Sequence, residues 1–326
     1  MKSGRASEKR RVFVSGGTGL IGAAVTRSLV ARGDRVVLVS RRPVEARGRI
    51  ERACGADARD RIEVLPGDPA EHGDWQRALD GCDVVLSLAG EPVWAHRWSE
   101  AHKRAIRDSR VRSTERVVEA IAKAKSRPSV LVSSSAVGFY GPRGDEEVTE
   151  ETGPGRDFLA RVCVEWEDAA REAESSGVRV ARVRTGIVLS PDGGALERMV
   201  APFRAFVGGP IGSGKQWFPW IHLADEIRLL LFAMDDARVT GAINAVAPRP
   251  VTMTDFARAL GRAMHRPSWL AVPGFSLAIL FGEGAEVLLT GQRVVPAVAR
   301  SLGFEFEHPS VDAALADLLD RRPHAA

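Results

Sequence analysis

Three glycines, Gly16, Gly19 and Gly22, follow a Gly-x-x-Gly-x-x-Gly spacing directly after the apolar run Val12-Phe13-Val14-Ser15 and lead into a helix-like segment, Leu20 to Ala31. A strand that breaks into glycines and restarts as a helix suits the holding of a dinucleotide pyrophosphate. The first glycine lets the chain turn, the second lets the backbone approach the phosphates, and the third lets helix and strand pack closely. The anion then rests on a helix N-terminus, where free N–H groups and the macrodipole favour it. About 20 residues further on, an NAD site offers a carboxylate to the ribose 2′-OH. Here that place holds Ser40-Arg41-Arg42, and the next acid is Glu45. Two guanidiniums and a hydroxyl suit a 2′-phosphate, so the expected cofactor is NADP(H). The other role open to the arginines is a solvated basic turn.

These groups need a scaffold, and the chain supplies one. Apolar runs at Arg35 to Val39, Ile62 to Leu65, Asp83 to Leu88, Val130 to Val132, Arg179 to Val183 and Ala242 to Val246 alternate with helical patterns, the longest from Trp98 to Lys125. Regular alternation implies an α/β fold, a Rossmann-type doubly wound parallel sheet covered on both faces. Ligands bind outside the carboxyl ends of such strands, which places Leu88, Ala89 and Gly90 along the cofactor. Asp68, after the third strand, either accepts from an adenine amino group or closes a turn. Glycine-rich texture from Thr185 onward marks a smaller C-terminal lobe. The division expected is 10–185 and 222–247 for the NADP-binding domain, and 186–221 and 248–320 for the lobe on the substrate side. Residues 1–9 form a basic tail, expected to be disordered, without the apolar stretch of a signal peptide.

Composition removes several classes. Of 326 residues 44% are hydrophobic and 27% charged, with a net charge of +4, which are ordinary globular values. The most apolar stretch, Val272 to Leu289, contains Gly274, Gly282, Glu283, Gly284 and Glu286 and cannot span a membrane. Basic residues are dispersed among acids, which argues against nucleic-acid binding. Cys54, Cys82 and Cys163 lack metal-ligand spacing, so no metal site is expected and a cytoplasmic location is. Gly209-Pro210-Ile211-Gly212-Ser213-Gly214-Lys215-Gln216 approaches a P-loop, but Gln216 replaces the magnesium-binding hydroxyl and Trp217-Phe218-Pro219 follows instead of a helix. That segment better suits a wall over a substrate pocket.

The glycine turn, Leu88-Ala89-Gly90-Glu91, Ser133-Ser134-Ser135 with Tyr140-Gly141, and Ile221-His222-Leu223-Ala224-Asp225 resemble the extended short-chain dehydrogenase/reductase superfamily, which includes nucleotide-sugar epimerases and dehydratases. More closely, Arg97-Trp98, Lys103, Ser109-Arg110, Trp166-Glu167, Gly208 to Gly214 and Phe218 to His222 resemble its epimerase-family NADP-dependent oxidoreductases. Gly291 to Val294 and Gly303-Phe304 resemble that group's C-terminal domain of unknown function. The resemblance implies an NADP(H) site at Gly16, Thr18, Gly19, Leu20, Ile21, Arg41, Arg42, Leu88, Ala89, Gly90 and Arg110.

It also implies hydride transfer with a Ser or Thr after the fifth strand and a Tyr-x-x-x-Lys pair on the next helix. The pair is missing: the chain has one tyrosine, Tyr140, with Gly144 four residues on. Counting from Ser135 places the tyrosine position near Phe158 or Leu159 and the lysine position near Val162 or Cys163. Ser133 and Ser135 are the polar groups expected near the reacting carbon. Tyr140, Glu91, His96 and His222 are the candidates to replace the lost acid, although Tyr140 also suits packing its loop and His222 also suits ordering the turn into the sheet. Two functions follow: an oxidoreductase or epimerase-like enzyme acting on a small polar substrate, or a non-catalytic NADP(H)-binding module that senses redox state.

Overall fold

A computed structural model describes residues 9–94 and 96–320; apart from Lys9, the expected basic tail lies outside the described residues. The chain opens with β1 (Arg11–Ser15), α1 (Leu20–Ala31), β2 (Arg35–Ser40), α2 (Pro43–Cys54), β3 (Ile62–Pro66) and β4 (Val84–Ser87). Helix α3 (Glu100–Lys123) follows, started by Ser99, whose Oγ accepts from the His102 N–H at 3.2 Å. Next come β5 (Val130–Ala136), the two-residue β6 (Glu147–Val148), α4 (Phe158–Arg171) capped by Asp157, β7 (Arg179–Thr185) and β8 (Ile187–Leu189). The remainder comprises α5 (Ala195–Arg204), β9 (Trp217–Phe218), β10 (Trp220–His222), α6 (Leu223–Asp235), β11 (Gly241–Ala245), β12 (Val251–Thr252) and α7 (Met253–Met264). It ends with α8 (Gly274–Phe281), α9 (Glu286–Leu289), β13 (Arg293–Val294), α10 (Ala297–Ser301) and α11 (Val311–Asp320).

Seven strands form one parallel sheet in the order β11-β7-β5-β4-β1-β2-β3. The order reverses between β1 and β4, where Ser15 stands beside Ser87, and the crevice beyond those two carboxyl ends is where a doubly wound sheet takes its ligand. Alternate residues divide between two cores, as strand geometry requires. Val12 and Val14 pack with Leu29 of α1 and Leu230 of α6, whereas Phe13 packs with Val117 and Ile121 of α3.

A third core lies off the sheet, where Leu196 and Phe203 of α5, Phe256 and Leu260 of α7 and Leu315 of α11 surround Phe218 and Trp220. Residues 293–306, expected with this lobe, pack beside the large sheet without adding a strand to it. β13 pairs with β6, Ala299 joins the core beneath α6, and the Phe304 ring lies 5.4 Å from Phe232. The driving force is burial of Val294, Val295 and Ala299 with partial burial of Phe304 and Phe306, a long-range packing with no local pattern to announce it. Among the described residues no helix is long and apolar enough to cross a membrane.

Candidate functional site

The turn after β1 can be built only from glycine. Gly16 has φ +72°, and a Cβ there would lie 2.6 Å from the Leu88 carbonyl carbon and 2.7 Å from the Ala89 nitrogen. A Cβ on Gly22 would lie 2.1 Å from the Gly16 oxygen, so α1 packs against the turn with no room for a side chain. Gly19 is different: it is the N-cap of α1, and a Cβ there would meet only the Gly16 oxygen, at 3.4 Å. The first turn of α1 has no side-chain cap and no acidic residue. Its N–H donors are therefore left without a side-chain acceptor at the positive end of the helix dipole, with the half-buried Thr18, Leu20 and Ile21 beside them.

Arg110 reaches this place from α3. Its guanidinium lies 3.2 Å from where a Gly90 Cβ would be and 5.4 Å from the Trp166 ring centre, and Nη1 donates to the Ile106 carbonyl at 3.0 Å. Burial lowers its pKa, and among the described residues no carboxylate is within ion-pair distance. A half-buried cation without a counter-ion is costly unless an anion meets it. Arg41 and Arg42 stand exposed at the carboxyl end of β2, the latter 3.4 Å from Glu45. Asp68 closes a turn, accepting from the Ala70 N–H at 3.0 Å.

The serines and the tyrosine are committed elsewhere. Ser135 Oγ donates to Glu167 Oε1 at 2.7 Å, Arg184 donates to both oxygens of Glu167 at 2.7 and 2.9 Å, and Arg182 adds a bond at 3.0 Å. Arg184 also donates to Tyr140 Oη at 3.0 Å, and Tyr140 donates to Asn244 Oδ1 at 2.6 Å. This buried network ties β5, α4, β7 and β11 together. Tyr140 is 0% exposed, and burial pushes its pKa up to about 12. The hydroxyl of Tyr140, a candidate to replace the lost acid, is engaged as a structural link between Arg184 and Asn244. Tyr140→Phe is expected to lower stability by about 1–3 kcal/mol through the unpaired buried partners it leaves, while NADPH affinity measured by titration is unchanged. Ser133 is buried, with its Oγ donating to the Ser134 carbonyl at 3.2 Å. Glu91 donates its N–H to Ser109 Oγ at 2.9 Å, which pins the loop after β4 to α3. None of these four candidates lines the cavity described next.

That cavity, about 630 Å³, is walled by Trp98, Lys103, Gly138, Leu159 and Trp217 and by the segment 282–292. Leu159 Cβ and Cys163 Sγ lie 3.5 and 3.9 Å from where a Gly138 Cβ would be, so these two helix neighbours face the loop after β5 as the tyrosine and lysine positions should. Neither carries a usable proton, since burial pushes the Cys163 thiol up to about 12. One ammonium is present instead. Lys103 has a side chain 17% exposed, lies 5.8 Å from the centre of the Phe158 ring, and pairs with Glu283 and, at 3.3 Å, with Glu100. The Glu283 contact raises its pKa, so it carries its proton at neutral pH. In the sequence it is one of several charges on the long helix, and nothing local shows that a cavity covers it.

The order of the sheet and the glycine turn narrow the fold to a nucleotide-binding group, and comparison with known proteins decides which. The model of the NAD dependent epimerase/dehydratase family matches residues 12–245. The chain belongs to that family. Residues 272–318 match a domain of unknown function, DUF1731. The chloroplastic epimerase family protein SDR39U1 homolog of Arabidopsis thaliana is 41% identical over 315 residues, 96% of this chain and 88% of that protein. A crystal structure of human epimerase family protein SDR39U1 (isoform 2) with NADPH superposes with a TM-score of 0.83 at 35% identity, covering 96% of this chain and all of the other. At 17% identity, the Bacillus cereus UDP-glucuronic acid 4-epimerase with NAD shares the fold, with a TM-score of 0.75 and coverage of 95% and 96%.

Two histidines complete the survey of this family member. His96 is exposed and meets only the edge of His102, ring centres 5.4 Å apart. His222 is 3% exposed and caps α6, its Nδ1 accepting from the Ala224 N–H at 3.0 Å, while Nε2 faces Asp317 Oδ2 at 3.2 Å. Both ring nitrogens are thus engaged in the neutral form. Its ring stacks on His308 at 3.7 Å and 25°, and the ligand atoms of His222, His308 and Asp317 lie within 4.8 Å of one another. Burial, then His308, lowers the His222 pKa to about 4. A proton taken up by the unfolded chain but refused by the fold destabilises the fold. Stability should be unaffected by this group above about pH 6.5 and should fall as pH drops from there toward 4. In His222→Asn, whose side-chain oxygen can keep the cap, thermal melts should show a shallower loss over that window.

Proposed function

We propose that the chain binds NADP(H) in the crevice between β1 and β4 and moves a hydride between it and a small carbonyl or alcohol substrate in the adjoining cavity, with Lys103 acting where the Tyr-x-x-x-Lys pair is absent. One observation carries this: an ammonium lines the same cavity as Leu159, the residue at the tyrosine position. The cofactor fits the open end of α1, where Gly16, Gly19 and Gly22 leave room for a pyrophosphate, with Arg110 as its cation and Arg41 and Arg42 for a 2′-phosphate. NADPH held there would supply a hydride, becoming NADP⁺.

The remaining work falls to the side chains. As the substrate carbon accepts the hydride, the carbonyl electron pair moves to oxygen, where Lys103 stabilises the charge and gives up a proton that water restores. Glu283 holds the lysine in place by direct contact. Trp98, Trp217 and Phe218 exclude water from the reacting carbon. A cytoplasmic location belongs to the same proposal, supported by three unpaired cysteines.

A second reading, a non-catalytic NADP(H) sensor, draws on the withdrawal of Ser135 and Tyr140 into the buried network. Stopped-flow absorbance of bound NADPH across aldehydes, ketones, sugars and quinones separates the two. We expect an acceptor that oxidises NADPH, with Lys103→Met slowing it about 10²-fold at an NADPH affinity within about twofold of the original. Oxidation indifferent to Lys103→Met removes the lysine from the chemistry. No oxidation above the buffer rate by any acceptor favours the sensor.

A further inference from the structure

A second cavity, also about 630 Å³, adjoins the first. Met253 and Leu288 line both, so a thin partition of side chains parts them. The two differ in character. Phe203, Phe256, Leu260 and Leu277 form the buried lining of the second, each no more than 7% exposed. Its charged members, Glu197 and Arg198, sit on the exposed face of α5. Leu20, the first residue of α1, also lines it, so the space borders the helix end described above as the phosphate cradle.

The cavity is partly open to solvent, and an apolar cleft of this size leaves hydrophobic surface to be covered while offering water few partners. A nucleoside diphosphate would need buried donors for its phosphates and partners for its base edges, and this lining provides neither. Hydrocarbon needs only what is there. We infer that the second cavity takes the hydrocarbon tail of an amphiphilic substrate whose polar end lies in the first cavity beside Lys103. The assignment of the polar end rests on the hydride-transfer proposal; that of the tail does not. The helix that walls the cavity supports a lipophilic ligand: α8 turns Leu277 inward, while Phe275 and Ile279 on it are 70% and 68% exposed.

Titration of the full chain with cis-parinaric acid, a fluorescent long-chain polyene acid, tests the tail site without cofactor or turnover. We expect saturable one-to-one binding, displaced by dodecanol and untouched by uridine diphosphate. Met199→Trp fills the cavity from the partly exposed side of α5 and should weaken binding at least about tenfold. Ala257→Leu, a smaller intrusion on α7, should weaken it as well and serves if the first variant loses its cooperative melt. Non-saturable binding, equal affinity in folded variants, or displacement by uridine diphosphate overturns the inference. NADPH titration of the unmodified chain reads the other proposal separately: absence of NADPH binding sinks hydride transfer and leaves the parinarate result standing.

Discussion

Glu167→Ala is expected to lower the stability of the fold by about 3–5 kcal/mol, because removing one partner of a buried ion pair strands the other. The carboxylate is 2% exposed and accepts from Ser135, Arg182 and Arg184. Without it, the Arg184 guanidinium, with its side chain 5% exposed, keeps Tyr140 Oη at 3.0 Å, the Glu150 carbonyl at 3.3 Å and the Phe139 ring, whose centre is 3.5 Å away, but no counter-charge among these partners. Set against a typical total of about 5–15 kcal/mol, that loss brings the protein near its threshold. Glu167→Gln, which keeps the shape and one acceptor, should fall between. Urea unfolding should show the midpoint dropping in the order original, Gln, Ala at constant slope. An Ala variant with an unshifted midpoint would mean that the network does not hold the strands together.

The sheet and the glycine turn after β1 were legible because their causes are local. Strands buried on both faces read as unbroken apolar runs, as in Val36 to Val39, and Gly22 follows from a contact only six residues away along the chain, at Gly16. The candidate chemistry was not legible, because its causes are distant. Tyr140 is defined by Arg184 and Asn244, 44 and 104 residues along the chain, and Lys103 by Glu283, 180 residues away. A signal existed for the network: Arg182 and Arg184, alternating with Ala181 and Val183 in a central strand, demand a buried acid, and Glu167 is the residue that answers. Residues 293–306 were assigned to the lobe because nothing in their pattern names the strand that they join.

The phosphate cradle should fail outright in Gly22→Val. Its Cβ would fall 2.1 Å from the Gly16 oxygen, and the clash is with backbone, so relief requires moving either α1 or the turn. Either movement carries the N–H donors away from the pyrophosphate. We expect NADPH affinity to fall at least about 10³-fold, roughly 4.1 kcal/mol, in a variant that still melts cooperatively. Calorimetric titration of NADPH and NADH into the original and Gly22→Val proteins tests the cofactor site directly. The expected result is one site per chain, NADPH at least about tenfold tighter than NADH, and no measurable NADPH binding in the variant. Equal affinity for the two cofactors, or NADPH binding that survives Gly22→Val, would contradict it.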